Sequence, residues 1–153
     1  MYIVGVVVLL FVAPLASIVI EHSLSSPAPD LWMLVGKWAT FWAVGVRLFN
    51  AGVMQTVRPQ FTASSIFGIA DPAARAIVRE VGFGNLSIGV LGLAILAAPA
   101  WTVPAALAGG LYYTLAGFGH LFHGARTSKE RFALVSDLTI AAVLAAFLFA
   151  RAL

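Results

Sequence analysis

Long apolar stretches alternate along this chain with short connections that are polar or contain proline. A helix needs about 20 mostly apolar residues to cross the hydrocarbon core of a bilayer. Five stretches reach or approach this length, and we interpret each as a transmembrane helix: residues 2–20, 31–55, 81–98, 103–123 and 132–150. The pattern therefore predicts an all-α integral membrane bundle with about five transmembrane helices, forming a single domain over residues 1–153.

The second stretch is the least apolar candidate for a transmembrane helix, because it carries Lys37 and Arg47. A charged side chain inside hydrocarbon costs at least about 3 kcal/mol, so each of these residues needs a reason to be there. A four-span bundle, in which part of this stretch is re-entrant or interfacial, is the alternative. Pro59 ends the helix, and Asp71 followed by Pro72 is typical of a helix start, which predicts that the third helix begins before it enters the membrane.

The charges of the connections predict an orientation. Residues 21–30 hold two acids and neither lysine nor arginine. The basic residues cluster in the second and fourth connections: Arg58, Arg75 and Arg79 in residues 56–80, and Arg126, Lys129 and Arg131 in residues 124–131. Because lysine and arginine are enriched on the cytoplasmic side, we expect the N-terminus in the cytoplasm and the C-terminus on the opposite side.

Composition narrows the classes of partner. Hydrophobic residues make up 61% of the chain and charged residues 10%, and the mean hydropathy is +1.00. The net charge of +3 comes from a few basic residues that flank apolar stretches, so we expect a lipid bilayer as partner and no nucleic acid. The chain has no cysteine, which excludes disulfides, thiolate catalysis and cysteine-ligated metals.

Several polar residues lie inside or beside the predicted spans, at similar heights once the chain is threaded back and forth. The set comprises Arg47, Asn50, Glu80, Asn85, His120 and Asp137. Arg47 keeps its charge and needs a counter-charge, for which Asp137 is the first candidate and Glu80 the second. Two interpretations stay open: an ion-pair network that fixes the helices, or a polar cavity for a proton, an anion or a small ligand.

Three aromatic residues, Trp42, Tyr112 and Tyr113, lie near the middle of their spans and are candidate pocket residues. A buried tyrosine hydroxyl needs a hydrogen-bond partner, although filling space between helices is the favoured role. The third and fourth stretches are rich in small residues and joined by a short connection, so we also expect them to form a tight antiparallel pair.

The histidines give little support to a metal or haem. His120 and His123 are three residues apart, but a di-carboxylate bundle site needs paired Glu-x-x-His units, which the chain lacks. Haem between two helices needs a second histidine, and the other one, His22, lies on the opposite side. We predict no metal, no catalytic residue and no cofactor, with quinone or haem as the disfavoured alternatives.

Five segments resemble an uncharacterised family of small multi-pass bacterial inner-membrane proteins: Gly36-Lys37-Trp38, Arg47-Leu48-Phe49-Asn50-Ala51-Gly52, Arg79-Glu80-Val81-Gly82-Phe83-Gly84-Asn85-Leu86, Gly117-Phe118-Gly119-His120 and Val135-Ser136-Asp137-Leu138. More distantly, the Arg-x-x-x-Ala-Gly stretch is similar to DoxX-type proteins, some of which associate with respiratory oxidoreductases. The basic residue that often follows in those proteins is replaced here by Gln55 or Thr56. The resemblance implies a helical bundle in a bacterial inner membrane and no particular activity.

Together these observations favour a protein without catalytic machinery, an accessory or scaffolding subunit that forms a homo-oligomer or joins a larger membrane complex. The alternative is a module that handles a small ligand, a quinone or a proton through Arg47, Glu80, His120 and Asp137. The two hypotheses differ in whether the polar residues pair only with one another or also face a cavity.

Overall fold

The computed structural model describes residues 2–122, 124 and 127–152. The protein is 86% helical, and the described residues contain no strand, which confirms the predicted all-α class. Two of the helices include a π-helical segment. The helices are α1 (Tyr2–Val7, π-helical Val8–Val12 and Ala13–Leu24), α2 (Leu31–Ala39, π-helical Thr40–Arg47 and Leu48–Val57), α3 (Pro59–Ser65), α4 (Ala74–Ala94), α5 (Thr102–Phe122) and α6 (Ser128–Ala152).

The boundaries of the helices follow from local sequence. The Asp30 side chain accepts a hydrogen bond of 3.0 Å from the Met33 amide and so caps the start of α2. The backbone leaves the helical conformation at Arg58, immediately before Pro59 opens α3. Asp71 accepts a hydrogen bond of 2.8 Å from the Ala73 amide, and α4 begins one residue later, close to the predicted start.

Among the described residues, three helices are long and apolar enough to cross a bilayer: Ile3–Leu24, Ala74–Ala94 and Ser128–Ala152. Helices α2 and α5 occupy the positions of the other two predicted spans. Helix α2 carries Lys37 and Arg47, and α5 is rich in glycine and contains two tyrosines. Length and composition therefore support three spans, which is consistent with a membrane protein and short of the five that were predicted.

Glycines bring α2 into direct backbone contact with α4. A Cβ atom added at Gly92 would lie 2.4 Å from the backbone nitrogen of Gly45. We predicted that small residues hold the third and fourth spans, here α4 and α5, tightly against each other. That prediction is wrong, because Gly109 of α5 lies against α2 and Gly117 lies against α6. Small residues allow each of these close approaches, and they make α2 the centre of the packing.

The apolar core lies between α1, α2, α5 and α6. Phe147 of α6 is fully buried and lies where a side chain at Gly36 of α2 would project. Leu144 and Val44 are buried beside it.

Candidate functional site

A cavity of about 700 Å³ lies among the helices and receives side chains from all six of them. Its size falls within the range of about 300–1,000 Å³ that is typical of small-molecule sites. Apolar side chains such as Met54 and Phe67 line part of it. Its polar lining consists of Arg47, Asn50, Gln55, Thr62, Asn85, Tyr112, Tyr113, His120, Glu130 and Asp137.

Arg47 and Asp137 form a buried ion pair in this cavity. The Arg47 Nη2 atom donates a hydrogen bond of 2.8 Å to Asp137 Oδ1 and one of 3.4 Å to Ser136 Oγ. The two charged side chains are only 12% and 7% exposed. The guanidinium carbon also lies 5.0 Å from the centre of the Tyr113 ring, within range of a cation–π interaction. The predicted pairing of Arg47 with Asp137 is confirmed.

The helix that carries Arg47 is π-helical over the two turns that lead to it. The Tyr113 hydroxyl donates a hydrogen bond to the carbonyl oxygen of Ala43, within this segment. Backbone carbonyls that leave the α-helical pattern need such a partner when water is absent. Isolated π-helical segments occur frequently at functional sites. Tyr113 thus supports the backbone of α2 with its hydroxyl and the Arg47 charge with its ring.

His120 and Glu130 form a second polar pair on the cavity wall. The Nδ1 atom of His120 lies 3.2 Å from Glu130 Oε1, and the side chains are 12% and 10% exposed. The imidazole stacks on the Phe67 ring at a centroid distance of 5.9 Å. Thr127 links the same region to the chain after α3, because its hydroxyl donates to the Ile66 carbonyl at 3.0 Å. This pair lies where the start of α6, the end of α5 and the chain after α3 meet.

Glu130 is not among the predicted site residues, although the chain carries a signal for it. Thr127-Ser128-Lys129-Glu130 has the Thr-x-x-Glu spacing of a capping box, and the Thr127 hydroxyl accepts a hydrogen bond of 3.0 Å from the Glu130 amide. A helix that starts there carries Glu130 in its first turn. Glu130 and Asp137 are then seven residues apart and share a face of α6.

Asn85 of α4 is 1% exposed and faces the cavity from the opposite helix. Its Nδ2 atom donates a hydrogen bond of 2.7 Å to Gln55 Oε1, a second contact that the sequence analysis missed. Its Oδ1 atom is buried and accepts no hydrogen bond of good geometry within the described part of the chain, although the Tyr112 hydroxyl lies beside the same amide group. A buried acceptor in this state is costly unless a bound molecule or water supplies a donor.

Not every predicted site residue reaches the cavity. Glu80 is exposed and lies outside the lining, since five residues on α4 rotate it by about 140° from Asn85. Trp42 turns toward α1, where its indole donates a hydrogen bond of 2.9 Å to Ser17 Oγ. Asn50 lines the cavity but is exposed. The prediction that Glu80 lies beside the other polar groups is therefore wrong. The second carboxylate of the cavity, besides that of Asp137, belongs to Glu130.

The described residues contain no group of three or more histidines, cysteines, aspartates and glutamates that could hold a metal ion. His123, weighed above as a ligand, and Arg126, used for the orientation, lie outside the described residues.

The fold and the cavity define a class: an all-helical protein that has three helices suited to crossing a bilayer and a polar cavity between its helices. The chain belongs to DUF6790, a family of unknown function, and the match covers residues 1–152. Membership in an uncharacterised family is thereby confirmed, while the similarity to DoxX-type proteins stays a prediction. No curated protein and no solved structure matches the chain.

Proposed function

We propose that this protein is a five-span protein of the bacterial inner membrane that binds a small molecule in the cavity around Arg47 and Asp137. The observation that carries the proposal is the position of this ion pair. It does not lie in a closed core, but on the wall of a 700 Å³ cavity that Asn85 and His120 also face. Ionisable groups at membrane depth favour a functional site by default.

The pairing of the charges in α2 supports five spans over four. Lys37 lies 2.7 Å from Glu21 of α1, and Arg47 lies 2.8 Å from Asp137 of α6. Paired charges that face the bundle interior are tolerated inside a membrane. The charges that argued against a second span therefore do not prevent one. The basic connections then favour a cytoplasmic N-terminus and a periplasmic C-terminus.

The lining suits binding rather than covalent catalysis. Arg47 and Tyr112 offer hydrogen-bond donors, while Asp137 and Glu130 offer acceptors. His120 lies beside a carboxylate, with its Nδ1 atom 3.2 Å from Glu130 Oε1. We infer that the site recognises a polar group through directed hydrogen bonds.

The test is recovery of the bound molecule from native membranes. The full chain is purified in mild detergent, and the molecules released from it are quantified by mass spectrometry. We expect one compound in near-equimolar amount from the wild type. Asn85→Leu should reduce its recovery by roughly tenfold, because the change removes a polar contact with the ligand.

Glu80→Gln is the matched control on the same helix and should leave recovery unchanged, because Glu80 lies outside the cavity. Circular dichroism of each variant checks that the fold survives. Recovery of no compound from the wild type, or equal recovery from both variants, would contradict the proposal.

An accessory or scaffolding role is the second candidate, and the packing of α1 favours it. Only 17% of the most apolar window of Ile3–Leu24 is buried within the protein, compared with 39% for Ser128–Ala152. Helix α1 therefore offers a large apolar face to lipid or to another helix. Native mass spectrometry of the purified protein tests this role, since a mass above that of one chain and its ligand is expected only if the protein assembles.

A further inference from the structure

A second, smaller cavity of about 290 Å³ adjoins the first. It lies between α4 and the chain around α3. The two cavities have five lining residues in common: Gln55, Thr62, Phe67, Ile69 and Val81. These shared side chains form the wall at which the two spaces adjoin, so a molecule longer than the first cavity reaches the second if these side chains move apart.

The second cavity is almost entirely apolar. Beyond the shared residues it is lined by Ala74, Ile77 and Val78 of α4. Ile77 is 67% exposed, which places this end of the cavity at the surface of the protein. In the five-span arrangement proposed above, Ile77 lies about 6 Å outside residues 81–98, so that surface adjoins the lipid head groups on the cytoplasmic side. A hydrocarbon chain fits such a space, whereas a polar group would lose its hydrogen bonds there.

The charges of the large cavity limit the polar end of a ligand. Asp137 offsets Arg47, and Glu130 lies beside His120. Among the described lining residues positive charge is therefore not in surplus, and an anionic head group such as a phosphate would meet the carboxylates of Asp137 and Glu130. A like charge in a low-dielectric site is strongly disfavoured. An uncharged polar head is favoured instead.

The buried amide of Asn85 indicates what that head must carry. Its Oδ1 atom has no well-aligned donor within the described chain, although the Tyr112 hydroxyl lies beside the amide. The residue is 1% exposed and faces the cavity. A hydroxyl or an N–H group on the ligand can supply the missing hydrogen bond, and binding then removes the cost of leaving the acceptor unsatisfied.

We propose that the ligand is a neutral, single-chain amphiphile. Its hydroxyl- or amide-bearing head binds near Asn85 and Arg47, and its hydrocarbon chain passes between Phe67 and Val81 into the second cavity and out to the lipid at Ile77. This inference rests on the proposed small-molecule function and specifies the chemical class of that molecule and its route.

The experiment uses the full chain in lipid nanodiscs and three probes: a long-chain monoacylglycerol, the fatty acid of the same chain length, and glycerol. Native mass spectrometry measures binding of each. Ile77→Trp fills the exit of the second cavity. Val90→Trp is the matched control, because Val90 is a 54% exposed residue of the same helix that lines neither cavity. Comparing two proteins with one probe cancels the partitioning of that probe into lipid.

We expect the wild type to bind the monoacylglycerol at least roughly tenfold more tightly than the fatty acid, because the carboxylate is repelled. Ile77→Trp should weaken monoacylglycerol binding by roughly tenfold or more, since the indole and the chain cannot share the exit. Val90→Trp should change nothing.

Equal effects of the two tryptophan variants, or binding of the fatty acid as tightly as the monoacylglycerol, would overturn the inference. So would failure of the monoacylglycerol to bind. Binding of glycerol distinguishes a failure of the amphiphile proposal from a failure of the proposed small-molecule function. If glycerol binds as well as the monoacylglycerol, or if a compound is still recovered from native membranes in an Asn85-dependent manner, the cavity is a small-molecule site and only the chain route is wrong.

Discussion

Helix α2 carries two ion pairs of the same chemistry in different surroundings. Lys37 binds Glu21 at 2.7 Å, with side chains 33% and 27% exposed. Arg47, ten residues further on, binds Asp137 at 2.8 Å, with side chains 12% and 7% exposed. Lys37 and Glu21 line neither of the two cavities described above, whereas Arg47 and Asp137 line the larger one.

The two ion pairs also differ in the hydrogen bonds that surround their carboxylates. Both oxygens of Glu21 accept hydrogen bonds from the Lys37 ammonium, and one also accepts from the Trp38 indole at 2.7 Å. This cluster is satisfied by its own members and holds α1 against α2. The Arg47 pair faces Asn85 across the cavity, and the Oδ1 atom of Asn85 accepts no well-aligned hydrogen bond from the described residues. An ion pair between helices is therefore weaker evidence of a binding site than an ion pair that also lines a cavity.

The largest effect should come from Asp137→Asn. The change leaves the Arg47 charge buried without its carboxylate partner, and loss of one member of a buried pair costs about 3–5 kcal/mol. We expect a large fall in the free energy of unfolding, measured by titration with a denaturing detergent.

Exchanging the two residues, Arg47→Asp with Asp137→Arg, should restore part of that loss because the pair is present again in reverse. It should not restore ligand recovery, since the donors and acceptors of the cavity have changed places. A variant Asp137→Asn that is as stable as the wild type would show that the cavity pair is no more critical than the Lys37 pair.

The glycine contact between α2 and α4 provides the second test. A methyl group at Gly92 would lie 2.4 Å from the Gly45 backbone, so Gly92→Ala must push the helices apart, at a cost of about 1–3 kcal/mol. Gly45 is two residues before Arg47, so this shift should also lower ligand recovery while leaving the Lys37 cluster intact.

Gly84→Ala is the control on the same helix. No atom lies within 4 Å of a Cβ built there, and replacing a helical glycine by alanine is expected to stabilise by roughly 0.5–1 kcal/mol. If both variants behave alike in the unfolding titration, direct backbone contact does not hold α2 against α4.

Much of the fold could be read from the sequence because apolar length and helix caps are local properties. The all-helical class, the positions of five long helices and the helix start near Asp71 required no knowledge of tertiary contacts. The pair Arg47–Asp137 could also be predicted, since a permanent charge inside an apolar stretch needs an opposite charge at the same height.

The rest of the site depends on rotation about the helix axes, which the sequence did not determine. Glu80 was misplaced because a residue at the right height can face outward. Glu130 was missed because residues 124–131 were predicted to be a cytoplasmic connection. In the structure α6 begins at Ser128, so Glu130 belongs to the helix and shares a face with Asp137. The glycines of α4 were assigned to α5, although they contact α2, since small residues predict a close approach without naming the neighbour.

The smallest effect should come from the other ion pair. Glu21→Gln removes the carboxylate beside Lys37, but this lysine is one-third exposed and its long side chain can turn its ammonium toward water or head groups. Partly exposed pairs contribute at most about 1 kcal/mol, so the free energy of unfolding should fall by no more than that, and ligand recovery should not change. Glu80→Gln, an exposed acid without a role in either pair, gives the baseline. A loss as large as that of Asp137→Asn would mean that burial does not separate the two pairs, and a change in ligand recovery would extend the binding site to α1.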